Sequence, residues 1–193
     1  MKVIFLDFDG VITIPPKWHI RSEKLKWIKK IVDETGAKIV VSSSWRCTTV
    51  EKTKEIILDR PKRCPVSNML KWFVDNLYDV THTYRSPRGA EIKDWLDGHP
   101  EVENYVIIDD DGDMLDEQLY HFVQTCYEHG IGESEAIYAI KILNGFYIHN
   151  CLGLNFTLRH EWLKKCEGLP NKSEELYNHY NDLRQDFHYR YEN

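Results

Sequence analysis

A chain of 193 residues with 42% hydrophobic residues is long enough to close one core, and its net charge of −6 argues against a surface that coats nucleic acid indiscriminately. No apolar stretch approaches the roughly 20 residues of a membrane span, so no membrane partner is expected. Five cysteines, an odd number without a CxxC pair, fit buried thiols in a reducing cytoplasm better than a disulfide framework or a zinc site.

The chain opens on MKVIFLDFDG. The short apolar run Val3–Leu6, rich in β-branched and aromatic residues and halted by turn residues, predicts a strand buried on both faces. Asp7 and Asp9 follow at period two, so both side chains can leave the strand end toward one side. Two acids at the end of a buried strand are costly unless their charge is used, and Gly10 lets the backbone turn just beyond them. Pro15 and Pro16 then forbid continued pairing. Ser22 with Glu23 opens a helix with Leu25, Trp27, Ile28, Ile31 and Val32 near helical spacing, and Gly36 closes it.

Ile39–Val41 repeats the opening pattern and stops in Ser42, Ser43 and Ser44, which makes a strand–helix–strand unit with a parallel pair. Helices are expected over 49–58 and 67–77, separated by Pro61 and Pro65, with a short strand over 79–84. A further helix spans 87–100, with Pro87 and Arg88 at its mouth. Tyr105–Ile108 is the third strong strand and runs into Asp109, Asp110 and Asp111. A last strand over 122–126 and a helix over 133–143 complete the pattern. The expected organisation is a three-layer, Rossmann-like α/β domain with a central parallel sheet over residues 1–145. Residues 146–193 are expected as a helical extension packed on it, with helices near 158–166 and 173–187.

Three strands therefore end in reactive side chains: Asp7/Asp9, Ser42–Ser44 and Asp109/Asp110. Open parallel sheets bind ligands beyond the carboxyl ends of their strands. Carboxylates from two strands meeting there suit Mg²⁺, and hydroxyls with backbone N–H groups on a neighbouring strand end suit phosphate oxygens. Arg88 is placed to offset the remaining phosphate charge, with Lys93 as the alternative cation.

DFDGV, SSSWR, PRGAEI and YVIIDDD, in this order, resemble the four motifs of the haloacid dehalogenase (HAD) superfamily. The resemblance is closest to small members without a large cap, grouped as the HAD domain in Swiss Army Knife RNA repair proteins, and it covers Met1 to Leu143. It implies a phosphohydrolase in which Asp7 attacks phosphorus to form an aspartyl-phosphate, while Asp9 serves as general acid and then base. It also implies Mg²⁺ held by Asp7, the Asp9 backbone carbonyl and Asp110, with Asp109 orienting Arg88; Asp109 and Asp110 can exchange these roles. Ser43 is the expected phosphate-binding hydroxyl, with Ser42 and Ser44 as neighbours. Most of the superfamily use Lys as the phosphate-binding cation, so Arg88 versus Lys93 stays open.

Residues 11–22 are too few for a cap domain and 45–87 are accounted for by ordinary core elements, and an open site admits nucleotides, polynucleotide ends or phosphoproteins. Lys17, Arg21, Lys24, Lys26, Lys29 and Lys30 with Trp18, His19 and Trp27 form a basic, aromatic stretch, read either as a single-strand binder or as a solvated helix face. Competing functions are a phosphatase for a small metabolite or phosphoprotein, and a phosphate- or nucleic-acid-binding module without activity.

Overall fold

The computed structural model describes residues 1–16, 19–59, 67–83 and 87–145. Five strands form one sheet: β1 (Lys2–Leu6), β2 (Lys38–Val41), β3 (Leu77–Val80), β4 (Asn104–Asp109) and β5 (Phe122–Gln124), in the order β3-β2-β1-β4-β5. Every neighbouring pair is parallel. The chain builds outward from β1 to β3, then returns to the other side of β1 to lay down β4 and β5. The order thus reverses at β1, which is where ligands bind in such sheets.

The period-two alternation of the strands sorts the core into two layers. Val3 and Phe5 of β1, Val40, Ile107 and Phe122 face Ile92 and Trp95 of helix α4 (Arg88–Asp97). Ile4 and Leu6, with Ile39, Val41, Val106 and Ile108, face the opposite layer. That layer is built from α1 (Ser22–Thr35), α2 (Val50–Asp59), α3 (Asn68–Asp75) and α5 (Glu133–Leu143), which bury Leu25, Ile57, Phe73 and Ala139 among others. Burying β1 on both faces is why its residues read as a continuous apolar run.

The element boundaries differ from the expectation at several points. Gly36 ends α1 with φ 69°, its N–H donating to the Val32 carbonyl. Ser22 opens α1 as expected, with extended Arg21 in the capping position before it. The Ser22 hydroxyl lies 3.1 Å from that of Ser67, while Ser67 caps α3 by accepting from the Leu70 N–H. The third strand begins at Leu77 rather than at 79, because Leu77 and Val80 are the buried positions and Asn76 has already ended α3. A 3-10 helix over Asp116–His121 had no apolar period to announce it. Cys47 and Cys126 are half-buried free thiols rather than core residues. The helical extension over 146–193 lies outside the described residues.

Candidate active site

The ladder continues one residue past each of four strands. The Asp7 N–H donates to the Ile108 carbonyl at 3.0 Å, Ser42 N–H to Leu6 at 3.1 Å, Thr81 N–H to Val41 at 3.0 Å and Thr125 N–H to Asp109 at 2.9 Å. The reactive residues after each strand are therefore held level along one edge.

Beyond Asp7 the chain folds sharply, with the N–H groups of Ile12 and Thr13 both donating to the Phe8 carbonyl at 2.9 and 2.8 Å. Gly10 takes φ 66°, and a Cβ there would lie 2.4 Å from the Asp110 carboxyl carbon. Glycine at this position is what lets the Asp110 carboxylate lie against the loop. Asp7, Asp109 and Asp110 consequently present carboxylate oxygens all within 4.8 Å of one another. The Asp9 carboxylate is not in this group. It accepts from the Thr13 hydroxyl at 2.7 Å and from the Trp45 indole N–H at 2.9 Å.

Helix α4 starts beside the acids. Its first N–H, that of Arg88, donates to the Asp113 carboxylate at 2.8 Å, and Gly89 packs where a Cβ would meet the Leu115 nitrogen at 2.5 Å. This docking aims the Arg88 guanidinium at Asp7 (3.4 Å), Asp109 (3.5 Å) and Glu91 (3.5 Å). Lys93, farther along α4, pairs with Asp97 at 2.9 Å in solvent and stays out of the site. Ser43 is fully buried, its hydroxyl accepts from the Trp45 N–H at 3.3 Å, and it helps to draw the Asp7 carboxyl downward. Ser42 is buried with an unpartnered hydroxyl, and Ser44 is exposed.

Burial raises Asp7 from 3.8 to about 6 against the pull of Arg88, with Asp110 and Asp9 pushing further upward. Burial and the Asp7 charge raise Asp109 to about 8, and burial raises Asp110 as well. One Asp109 oxygen is buried without a hydrogen-bond partner. Crowded carboxylates of this kind, with three acids facing one guanidinium and one oxygen lacking a hydrogen bond, fit a hard divalent cation.

Sequence reasoning passed over four participants. Thr13 and Trp45 fix Asp9, and a buried ion pair between Arg46 and Glu91 stands beneath Arg88. Trp45 and Arg46 directly follow the three serines, and Glu91 stands one helical turn from Arg88; those spacings were the available signal. The basic stretch resolves toward a solvated helix face. Lys29 pairs with Asp33 and Lys30 with Glu34, Lys24 bonds the Ile131 carbonyl, and Trp27 packs against the core. Lys17 and Trp18 lie outside the described residues.

A parallel α/β sheet with acids from β1 and β4 gathered at its carboxyl edge is the architecture of a Rossmann-like HAD domain. A family model described as the HAD domain in Swiss Army Knife RNA repair proteins matches residues 3–136, and the chain belongs to that family. The family points to phosphatase-type hydrolysis. Comparison with curated proteins and with solved structures gives no match. Among the described residues, no helix is long and apolar enough to cross a membrane.

Proposed function

We propose that the chain is a Mg²⁺-dependent phosphohydrolase that removes phosphate from nucleotides or nucleic-acid ends through an aspartyl-phosphate on Asp7. The observation that carries this reading is the meeting of Asp7, Asp109 and Asp110 with Arg88 at one sheet edge, in a chain of this family. The free thiols of Cys47 and Cys126 are in keeping with a reducing cytoplasm.

In the first step an Asp7 oxygen bonds to phosphorus as the ester P–O bond breaks, and Asp9 donates its proton to the departing oxygen. Asp9 then takes a proton from water, whose oxygen attacks phosphorus and releases inorganic phosphate with Asp7 restored. Thr13 and Trp45 hold the Asp9 carboxylate in one orientation for both transfers. Arg88, in contact with Asp7, stabilises the charge on the transferring phosphoryl oxygens, and the Ser43 hydroxyl binds one of them. Mg²⁺ would be held by Asp7, Asp110 and the Asp9 carbonyl, with Asp109 beside it, and when bound would supply Lewis-acid neutralisation of phosphate charge.

The test is phosphate release from 3′- and 5′-phosphorylated oligonucleotides, nucleoside monophosphates and sugar phosphates, with and without Mg²⁺. Metal-dependent release from the nucleic-acid substrates is expected. Release from sugar phosphates alone would reassign the substrate, and no release from any would favour a binding module.

A further inference from the structure

We infer that the open cleft beside Ser43 seats the nucleotide next to the phosphate being removed, so that the site takes a nucleic-acid strand rather than an isolated phosphate ester. This inference rests on the phosphohydrolase reading above.

The cleft has a volume of about 630 Å³ and is lined by residues 46–48 and 81–83 with Lys52. These segments continue directly from Ser42–Ser44 and from β3, so the cleft lies along the same carboxyl edge as Asp7, on its β3 side. Arg46 ties the two together. Its guanidinium donates to the carbonyls of Ser42 (2.7 Å), Ser43 (2.6 Å), Thr81 (3.0 Å) and His82 (3.1 Å), and to the Glu91 carboxylate. All of its donors are thereby used, so Arg46 builds the wall and leaves ligand binding to its neighbours.

Those neighbours suit a polyanion with hydroxyl and amide edges. Among the described residues no carboxylate lines the cleft, although the chain has 31 acidic residues against 25 Lys and Arg. Lys52 is exposed with no ion-pair partner among the described residues, and the His82 imidazole stands 3.6 Å from Asp94 at the periphery. On an acidic molecule, a wall without acids is where a second phosphate approaches at least electrostatic cost. Thr81 supplies an independent sign of a missing partner. It is 1% exposed, it lines the cleft, and its hydroxyl has no hydrogen-bond partner. A buried hydroxyl left unpaired is costly, and a sugar hydroxyl, phosphate oxygen or base edge entering the cleft would relieve it. The volume lies within the range of small-molecule pockets, large enough for a nucleoside unit.

The test has two arms. In the first, the Asp7→Asn protein binds a fluorescent, end-phosphorylated oligonucleotide, so that nothing is consumed. Lys52→Ala in that background should weaken binding about tenfold, the loss of one charge-assisted contact, and lower the salt slope by about 1. In the second arm, Lys52→Ala and Thr81→Val in the active protein should lower kcat/KM for the oligonucleotide about tenfold relative to p-nitrophenyl phosphate. Thr81→Ser should restore the ratio. Equal losses on both substrates, or unchanged oligonucleotide binding and salt slope, would overturn the inference while leaving turnover intact. Absence of turnover on every substrate would sink the phosphohydrolase reading instead, and the binding arm would still decide the cleft.

Discussion

Arg88 touches three acids at once, Asp7 at 3.4 Å and Asp109 and Glu91 at 3.5 Å, so its removal leaves Asp7 and Asp109 without the cation they share and Glu91 with Arg46 alone. Arg88→Ala is expected to lower kcat by about 10²–10³, as the loss of one preorganised charge stabiliser does elsewhere. Lys93→Ala should stay close to the unsubstituted chain, because Lys93 is bound to Asp97 outside the site. Steady-state kinetics on p-nitrophenyl phosphate checks the order, and a larger loss from Lys93→Ala would move the cation there. Arg46 and Glu91 act at the same scale through stability. Their side chains are 2% and 5% exposed, so Arg46→Met strands a buried carboxylate and should cost about 3–5 kcal/mol in denaturant unfolding. A cost near zero would mean that Arg88 alone satisfies Glu91.

At the scale of elements, the turn after β1 is what brings β4's acids to Asp7. Gly10→Ala forces a left-handed alanine, a strain of about 1–3 kcal/mol, and drives its Cβ into the Asp110 carboxylate. Gly36→Ala is the matched control, since Gly36 has φ 69° but nothing within 4 Å of its would-be Cβ. Both variants should lose thermal stability, and only Gly10→Ala should also lose the rise in Tm expected on adding Mg²⁺. Equal Mg²⁺ responses would show that Asp110 does not need the loop. The sheet was legible in the sequence because β1, β2 and β4 are buried on both faces, which leaves compact apolar runs that end in polar residues. Asp7 and the Asp109–Asp110 pair were legible for the same reason. The choice between Arg88 and Lys93 was not, because both sit on one helix and only its docking through Gly89 and Asp113 decides which reaches the sheet edge. The partners of Asp9 were likewise hidden, since Thr13 and Trp45 meet it only after the β1 turn and the end of β2 come together.

For the whole molecule, the crowded acids make stability depend on pH and, on the proposed reading, on metal. Asp7 and Asp109 are raised from 3.8 to about 6 and about 8, so the metal-free folded chain binds more protons than the unfolded one across that interval. Their contribution is fully present below about pH 4 and is lost as pH rises through about 8. Mg²⁺ bound among these acids would compete with those protons, and at a hundred times its Kd would add about 2.7 kcal/mol. Thermal melts should therefore show a larger Mg²⁺ gain at pH 8 than at pH 5, and a gain independent of pH would contradict the clustered acids. The most direct measurement is turnover of p-nitrophenyl phosphate by the natural chain and by Asp7→Asn, each with Mg²⁺ and with chelator. Release is expected only from the natural chain with Mg²⁺, with Asp7→Asn folded but inactive. Equal release from both proteins, or release undiminished by chelator, would contradict it.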